Sequence, residues 1–229
     1  MAYKVFTNGS VLQASEINDN LMRQSVMVFS NAAARTAAIT VPLEGMLTWL
    51  EDLNRYESYN GSAWVVESSG VVLLNTTSFS AATSVSVNNV FSSLYDNYKI
   101  TFNMNSSSTS GINYGLRLRT SGTDNNASNY RFGSYFIGSE VTQPASGNNN
   151  TTNTYWTLGN ISTAGSTAEI TLHRPFLTQR TAISSVGSGT FLWVLGGQST
   201  VTTSYDGFSI IIDGAGNMTG TLSVYGLAK

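Results

Sequence analysis

Hydrophobic and polar positions alternate in several segments of the chain from Val71 onward, with the two-residue period of a strand that buries one face. In NYKITFNMNS, the apolar Ile100, Phe102 and Met104 alternate with polar residues, and YGLRLRT alternates leucine with arginine. About ten strand-like segments, including these, are separated by clusters of Gly, Asn, Asp and Ser, which favour turns, with no helical pattern between them. The pattern predicts a mainly β head, an antiparallel β-sandwich of jelly-roll type.

A different pattern occupies residues 1–41. After a short extended arm, Ser15 is predicted to cap a helix that runs through about Phe29, and a second short helix is predicted over AAARTAAI. Helices this short are marginal alone in water, so their apolar faces must dock on their own β domain or on another chain. The apolar positions proposed for docking are Ile17, Leu21 and Phe29.

Residues 42–70 carry an aromatic hairpin pattern. Strands are predicted over Met46 to Leu50 and over Glu57 to Tyr59, with a polar turn between them. Asn60-Gly61 then gives a hairpin turn signal, because both residues tolerate positive φ, and the chain runs on to Val66. Two strands cannot bury the rings of this segment alone, so the next domain or identical copies must cover them. These rings are Trp49, Tyr56, Tyr59 and Trp64.

Composition narrows the class of protein. Charged residues make up 10% of the chain, against about 25% in ordinary globular proteins, while 41% are hydrophobic. No apolar run approaches the ~20 residues of a membrane helix, and MAYKVFTNGS has no apolar core of a secretory signal. We therefore expect a folded protein with a Ser-, Thr- and Asn-rich surface, without membrane insertion.

Charge and cysteine content exclude further classes. The formal net charge is −2 and no basic patch is present, so nucleic-acid binding is not expected. The chain has no cysteine, which excludes disulfides, thiolate chemistry and cysteine-bound metals.

Residues for catalysis are scarce. The sole histidine, His173, cannot build a usual zinc site, and no G-x-S-x-G sequence presents a nucleophilic serine. Most carboxylates beyond the hairpin lie in turn sequences such as YDN and DGAG. We expect no enzyme activity, no cofactor and no metal site, with a weak Ca²⁺ site at Asp124-Asn125-Asn126 as the minority interpretation.

Aromatic residues beside polar loops form the remaining pattern. Aromatic faces together with amides and guanidinium groups suit sugars, which present CH-rich ring faces and hydroxyls. For any single ring, a place in the core or at an interface is the competing interpretation. The candidate glycan-binding residues are Tyr114, Arg117, Asn129, Tyr130, Arg131, Tyr135, Tyr155 and Trp156.

The series FTNGSVLQASEIN, LMRQSVMVF, AAARTAAI, EGMLTWLED and YNGSAWV resembles the N-terminal modules of bacteriophage virion proteins, chiefly minor tail and tail-fibre proteins. The resemblance covers about the first 66 residues. The remainder, which ends in GTLSVYGLAK, is similar in style to the β-sandwich heads that follow such modules.

This resemblance implies a non-enzymatic tail-fibre or tail-tip subunit, made in the host cytoplasm and located in the virion. Its segments are residues 1–41 for attachment to another virion protein, 42–70 as a hairpin joint, and 71–229 as a head that binds a host-surface glycan or protein. It further implies a homotrimer with the hairpin at its centre. The alternatives are a capsid or tail decoration protein without a receptor and, third, a polysaccharide-degrading tailspike.

Overall fold

The computed structural model describes residues 9, 11, 13, 14, 26–67, 70–137 and 146–228. The chain divides into two compact units, Met1–Ser69 and Gly70–Lys229. Both units are built mainly from antiparallel β-sheet, and the helix that the structure assigns within the described residues lies in the first.

Over residues 26–67, the first unit is a four-stranded sheet with the short helix α1, Ala32–Ala38. Its strands follow the order β1-β2-β3-β4; β1 runs parallel to β2 and the other pairs are antiparallel. The Asn31 side chain caps the helix, because its Oδ1 accepts the Ala34 N–H at 2.8 Å. The elements are β1 Met27–Phe29, α1 Ala32–Ala38, β2 Leu47–Leu50, β3 Arg55–Tyr59 and β4 Trp64–Val66.

The structure corrects the end of the first predicted helix. Met27–Phe29 form strand β1, paired with β2 so that Phe29 lies opposite Leu50. Sheet pairing here overrides the helical spacing, since MVF is a β-prone triplet beside an open sheet edge. Ile17 and Leu21 lie outside the described residues. The second helix and the strands of the hairpin segment are confirmed, and β4 adds a third antiparallel strand.

The second unit contains two antiparallel sheets. The larger has eight strands in the order β11-β10-β15-β14-β13-β7-β17-β5, and the smaller follows β12-β8-β16-β6, with β9 beside β8. The strands are β5 Val71–Ala82, β6 Ser84–Val87, β7 Asn97–Ser107, β8 Asn113–Thr120, β9 Thr123–Asp124, β10 Tyr130–Ile137, β11 Ser146–Asn153, β12 Trp156–Asn160, β13 Ser166–His173, β14 Ala182–Ser188, β15 Leu192–Ser199, β16 Gly207–Ile212 and β17 Met218–Leu227.

One hydrophobic core joins the two sheets of this unit. Ile100 and Phe102 of the larger sheet and Leu116 and Phe208 of the smaller belong to the same buried cluster. The buried face alternates with an exposed or half-buried face along most strands, as the two-residue sequence period requires. The predicted mainly β, antiparallel fold is therefore confirmed for this unit.

Part of the stretch Thr142 to Asn153, whose Asn-, Thr- and Gly-rich sequence is typical of a loop, forms a strand. Thr142 to Asn153 shows no hydrophobic period, yet Ser146–Asn153 form strand β11 against β10. Backbone hydrogen bonding to a neighbouring strand requires no alternation of side chains. An edge strand of polar residues therefore shows no hydrophobic period in the sequence.

We predict that residues 70–229 fold without the first unit, because they contain a complete core of their own. The isolated fragment is expected to be soluble, to give a β-type circular dichroism spectrum and to unfold in one cooperative step. A matched fragment without the last strand, ending before Met218, should fail to fold because β17 lies between β7 and β5. A disordered or helical spectrum from residues 70–229 would contradict the prediction.

Candidate functional site

The outer face of the eight-stranded sheet carries a row of side chains across neighbouring strands. Tyr135 lies opposite Val194, which lies opposite Val186, and Glu169 and Thr101 continue the row on β13 and β7. Tyr135, Val194 and Val186 are 51%, 45% and 52% exposed. The inward positions between them are buried in the core, so the row faces away from it. Tyr135, Val194 and Val186 are called the apolar wall below.

The adjacent row has almost no side chains. Gly133 of β10 lies opposite Gly196 of β15, which lies opposite Ser184 of β14. A Cβ built on Gly133 or Gly196 meets no atom within 4 Å, and neither glycine has a positive φ. These two glycines and Ser184 form the floor of a furrow.

A polar row closes the other side of the furrow. Arg131, Gln198 and Ala182 are cross-strand neighbours, and His173 continues the row on β13. Arg131 and Gln198 are exposed. His173 Nδ1 lies 3.1 Å from the Asn97 side-chain oxygen, a hydrogen bond within the sheet.

An open depression of about 680 Å³ continues from the apolar wall over the middle of the same sheet. Hydroxyl and amide groups line it beside the two valines, and its charged group, Glu169, pairs with Lys99 at 2.7 Å. Because this ion pair cancels its own charge, the depression offers hydrogen bonds and aliphatic surface without a strong field. The polar residues lining it are Thr101, Asn103, Thr167, Glu169, Thr171, Ser184 and Ser185.

Three of the predicted glycan-binding residues are core residues, and here the sequence prediction is wrong. Tyr114, Tyr130 and Trp156 are at most 1% exposed, so they have no ring face for a sugar. Their polar atoms bond to backbone: the Tyr114 hydroxyl donates to the Thr167 carbonyl and Trp156 Nε1 to the Arg131 carbonyl. Burial raises the pKa of both tyrosines above the usual range.

Tyr155 and Arg117 lie on the outer side of the smaller sheet. The Tyr155 ring covers Gly115, where an added Cβ would lie 2.3 Å from a ring carbon. Its hydroxyl donates to Asp213 at 2.5 Å, and burial followed by this carboxylate raises the pKa of Tyr155 to about 12. Arg117 lies 5.9 Å from the ring and donates to the Thr154 carbonyl at 3.1 Å. These groups bind each other and hold the start of β12 in place.

Asn129, Arg131 and Tyr135 are the predicted residues that belong to the furrow or adjoin it. Arg131 and Tyr135 stand on opposite sides of the Gly133 position of β10. Asn129 lies just before this strand, and its carbonyl accepts the Thr200 N–H at 2.8 Å, which fixes the ends of β10 and β15 together. The predicted set therefore divides among the core, the smaller sheet and the furrow.

Two side chains of the predicted weak Ca²⁺ site at Asp124-Asn125-Asn126 bond within the protein. Asp124 Oδ1 accepts hydrogen bonds from Arg119 and from Ser209, and Asn125 bonds to Tyr205 through Nδ2. The carboxylate is thus already paired with a cation. Among the residues that the structure describes, no group of three potential metal-ligating side chains comes together.

The first unit holds a buried ion pair that the sequence analysis did not identify. Arg35 of α1 donates to Glu57 of β3 at 2.5 Å and to the Thr48 hydroxyl at 3.3 Å, and its guanidinium lies 4.1 Å from the Trp64 ring. Arg55 donates to the other Glu57 oxygen. Burial would raise the pKa of Glu57, but the hydrogen bonds and charges of the two arginines outweigh it and lower this pKa.

The four hairpin aromatics divide between the two faces of this sheet. Tyr59 and Trp64 are cross-strand neighbours on the face covered by α1, with ring centroids 5.4 Å apart. Trp49 and Tyr56 are neighbours on the opposite face, 4.8 Å apart. Beside them Val28 is 58% exposed and Val65 37% exposed. We call Val28, Leu47, Trp49, Tyr56 and Val65 the open face, since no described residue of the first unit covers the exposed Tyr56 ring and the two valines.

No protein-family model and no curated protein sequence matches this chain. In the part of the chain that the structure describes, no helix has the length and apolar character needed to cross a membrane.

Proposed function

We propose that this chain is a non-enzymatic bacteriophage virion protein, a tail-fibre or tail-tip subunit whose second unit binds a glycan on the host surface. The resemblance of the first 66 residues to virion attachment modules supports the virion location. The single observation that carries the binding role is the outer face of the eight-stranded sheet. Exposed tyrosine and valine side chains stand there beside arginine, glutamine and hydroxyl groups, the combination that sugar recognition requires.

The strand order supports a jelly roll as the framework of this head. In a jelly roll of eight strands, the first, eighth, third and sixth form one sheet, and the second, seventh, fourth and fifth form the other. Here β5-β17-β7-β13 and β6-β16-β8-β12 follow that order. Hairpins β10–β11 and β14–β15 extend the first sheet beyond it. The furrow belongs to these added strands, which fits the general observation that binding residues lie on additions to a rigid scaffold.

The non-enzymatic part of the proposal is supported by three carboxylates of the described head, each of which already binds another side chain. Glu169 is paired with Lys99, Asp124 with Arg119, and Asp213 accepts the Tyr155 hydroxyl. A glycosidase instead needs two carboxyl groups facing each other across a substrate, one of them free to act as a base or nucleophile.

The first unit is assigned to attachment and assembly. Its open face is proposed to contact the same face on two further copies of the chain, and the homotrimer to bind another virion protein through the N-terminal residues. Three heads joined in one trimer would bind a repetitive surface polysaccharide with higher avidity than a single, weakly binding head.

The proposal predicts that the purified full-length chain binds bacterial polysaccharide. We expect concentration-dependent binding to a subset of an array of purified lipopolysaccharides, capsular polysaccharides and wall teichoic acids. Mild periodate oxidation of the printed glycans should abolish it, because the ring hydroxyls are destroyed. Shortened glycan chains after incubation would instead identify a tailspike. Absence of binding to every glycan, together with antibody labelling of the capsid on particles, would support a decoration protein.

A further inference from the structure

The furrow on the outer face of the eight-stranded sheet contains two glycines without a structural reason. A glycine inside a strand costs stability, because it loses more backbone entropy on folding and leaves no side chain to pack. Other glycines in the described strands of this head have a structural reason. At Gly197 and Gly220, for example, an added Cβ would lie 2.4 Å or less from a backbone oxygen.

Gly133 and Gly196 are different from those glycines. Both point outward, both have space for a side chain, and neither adopts a positive φ. They also lie directly opposite each other on β10 and β15, so that their missing side chains open one continuous gap. Where neither packing nor backbone conformation requires glycine, the close approach of a ligand or of another backbone remains as the reason.

We propose that Gly133 and Gly196 are the floor of a sugar-binding subsite, on which one pyranose ring of the host glycan lies flat against the backbone. This inference rests on the proposed glycan-binding function and locates it. Ser184 extends the floor by a short hydroxyl. The rows on either side are two residues along each strand from the floor, so their Cα rows lie roughly 13 Å apart, room for one ring between the side chains.

The two walls match the two surfaces of a sugar ring. Tyr135 and Val194 on one side offer an exposed aromatic ring and an aliphatic group for the CH-bearing face. Arg131 and Gln198 on the other side offer guanidinium and amide groups for ring hydroxyls. The wall positions therefore fix the orientation of the ring, and the floor fixes its depth.

A copy of the same chain is the competing occupant, because a second strand also approaches glycine closely. The charge and polarity of the walls favour the sugar. A contact between copies would bury the Arg131 guanidinium and the Gln198 amide, which costs free energy unless the partner supplies hydrogen bonds to both groups.

Substitution of the floor separates ligand binding from fold stability. Gly196→Val and Gly133→Val add β-branched side chains into open space, so each variant should unfold at the same or a higher temperature than wild type. The same side chains would lift a sugar ring off the backbone, so affinity for the array glycans bound by wild type should fall by more than about tenfold. Tyr135→Ala should weaken binding as well.

The matched control is Ser78→Val, which adds a valine on the same outer face at edge strand β5. It should leave both the affinity and the thermal transition unchanged. Sedimentation of each variant tests the competing occupant: if Gly196→Val dissociates the assembly, the furrow is a contact between copies and the subsite proposal is overturned. Unchanged glycan affinity in both glycine variants overturns the subsite and leaves the glycan-binding function standing. Wild-type protein that binds no glycan on the array overturns both.

Discussion

Glu57→Leu is expected to unfold the first unit while the head remains folded. The substitution leaves the Arg35 guanidinium buried without its carboxylate, since this side chain is only 5% exposed and donates to Glu57 at 2.5 Å. Breaking a buried ion pair from one side costs about 3–5 kcal/mol. The free energy of unfolding of small proteins is about 0.05–0.15 kcal/mol per residue, so the whole stability of the first unit is of the same order as this cost.

The measurement is thermal unfolding of the full-length chain, followed by tryptophan fluorescence and circular dichroism. Trp49 and Trp64 report on the first unit, whereas Trp156 and Trp193 and most of the β-sheet signal report on the head. A fluorescence transition that leaves the β-sheet signal largely unchanged therefore marks unfolding of the first unit. Arg55→Met is the matched control. Its side chain is 32% exposed and it contacts the same carboxylate, so its loss should cost much less. The double variant Arg35→Met/Glu57→Leu should recover most of the stability, because it removes both charges. A single variant as stable as wild type would show that the pair is dispensable.

The same pair gives the first unit a dependence on pH. The pKa of Glu57 is lower in the folded state than in the unfolded state. Its contribution to stability is therefore complete above the unfolded pKa and is lost as the pH falls through the folded pKa. We expect acid to lower the unfolding temperature of the first unit in the wild type and to have a smaller effect in the double variant.

Strand existence in the head was predictable because hydrophobic alternation is a local property of the sequence. The burial of the aromatic residues that were wrongly assigned to the glycan site could also be predicted from the alternation within each strand. Tyr114 has the same parity as Leu116 and Leu118, and Trp156 the same parity as Leu158. Residues two apart in a strand share a face, so these rings lie on the same buried face as the leucines. Their closeness to polar loops in the sequence had instead indicated an exposed position.

The register between strands was not predictable from local pattern. Gly133 and Gly196 are 63 residues apart in sequence and become neighbours only because β15 pairs with β10. Arg35 is similar: in an alanine-rich helix it has the pattern of a solvated residue, and it is buried because β3 places Glu57 beneath it. Both features depend on tertiary pairing, for which a single sequence carries little information.

The open face is expected to hold the proposed homotrimer together, and Trp49→Ser or Tyr56→Ser should dissociate it. These two rings pack on each other, yet Tyr56 remains 45% exposed beside the exposed Val28 and Val65. An aromatic ring buries roughly 150–250 Å² when fully covered. At about 25 cal/mol per Å², covering the remaining surface of both rings contributes a few kcal/mol for each copy.

Sedimentation velocity at micromolar concentration is the measurement, with the wild type expected as a trimer and each variant as a monomer with a folded head. Tyr59→Ser is the matched control: this ring lies on the face covered by α1, so its loss should leave the assembly intact. A monomeric wild type would refute the homotrimer. A trimer that survives both open-face substitutions would place the contacts between copies in the head or in the N-terminal residues, and the exposed rings would then be free to bind the neighbouring virion protein.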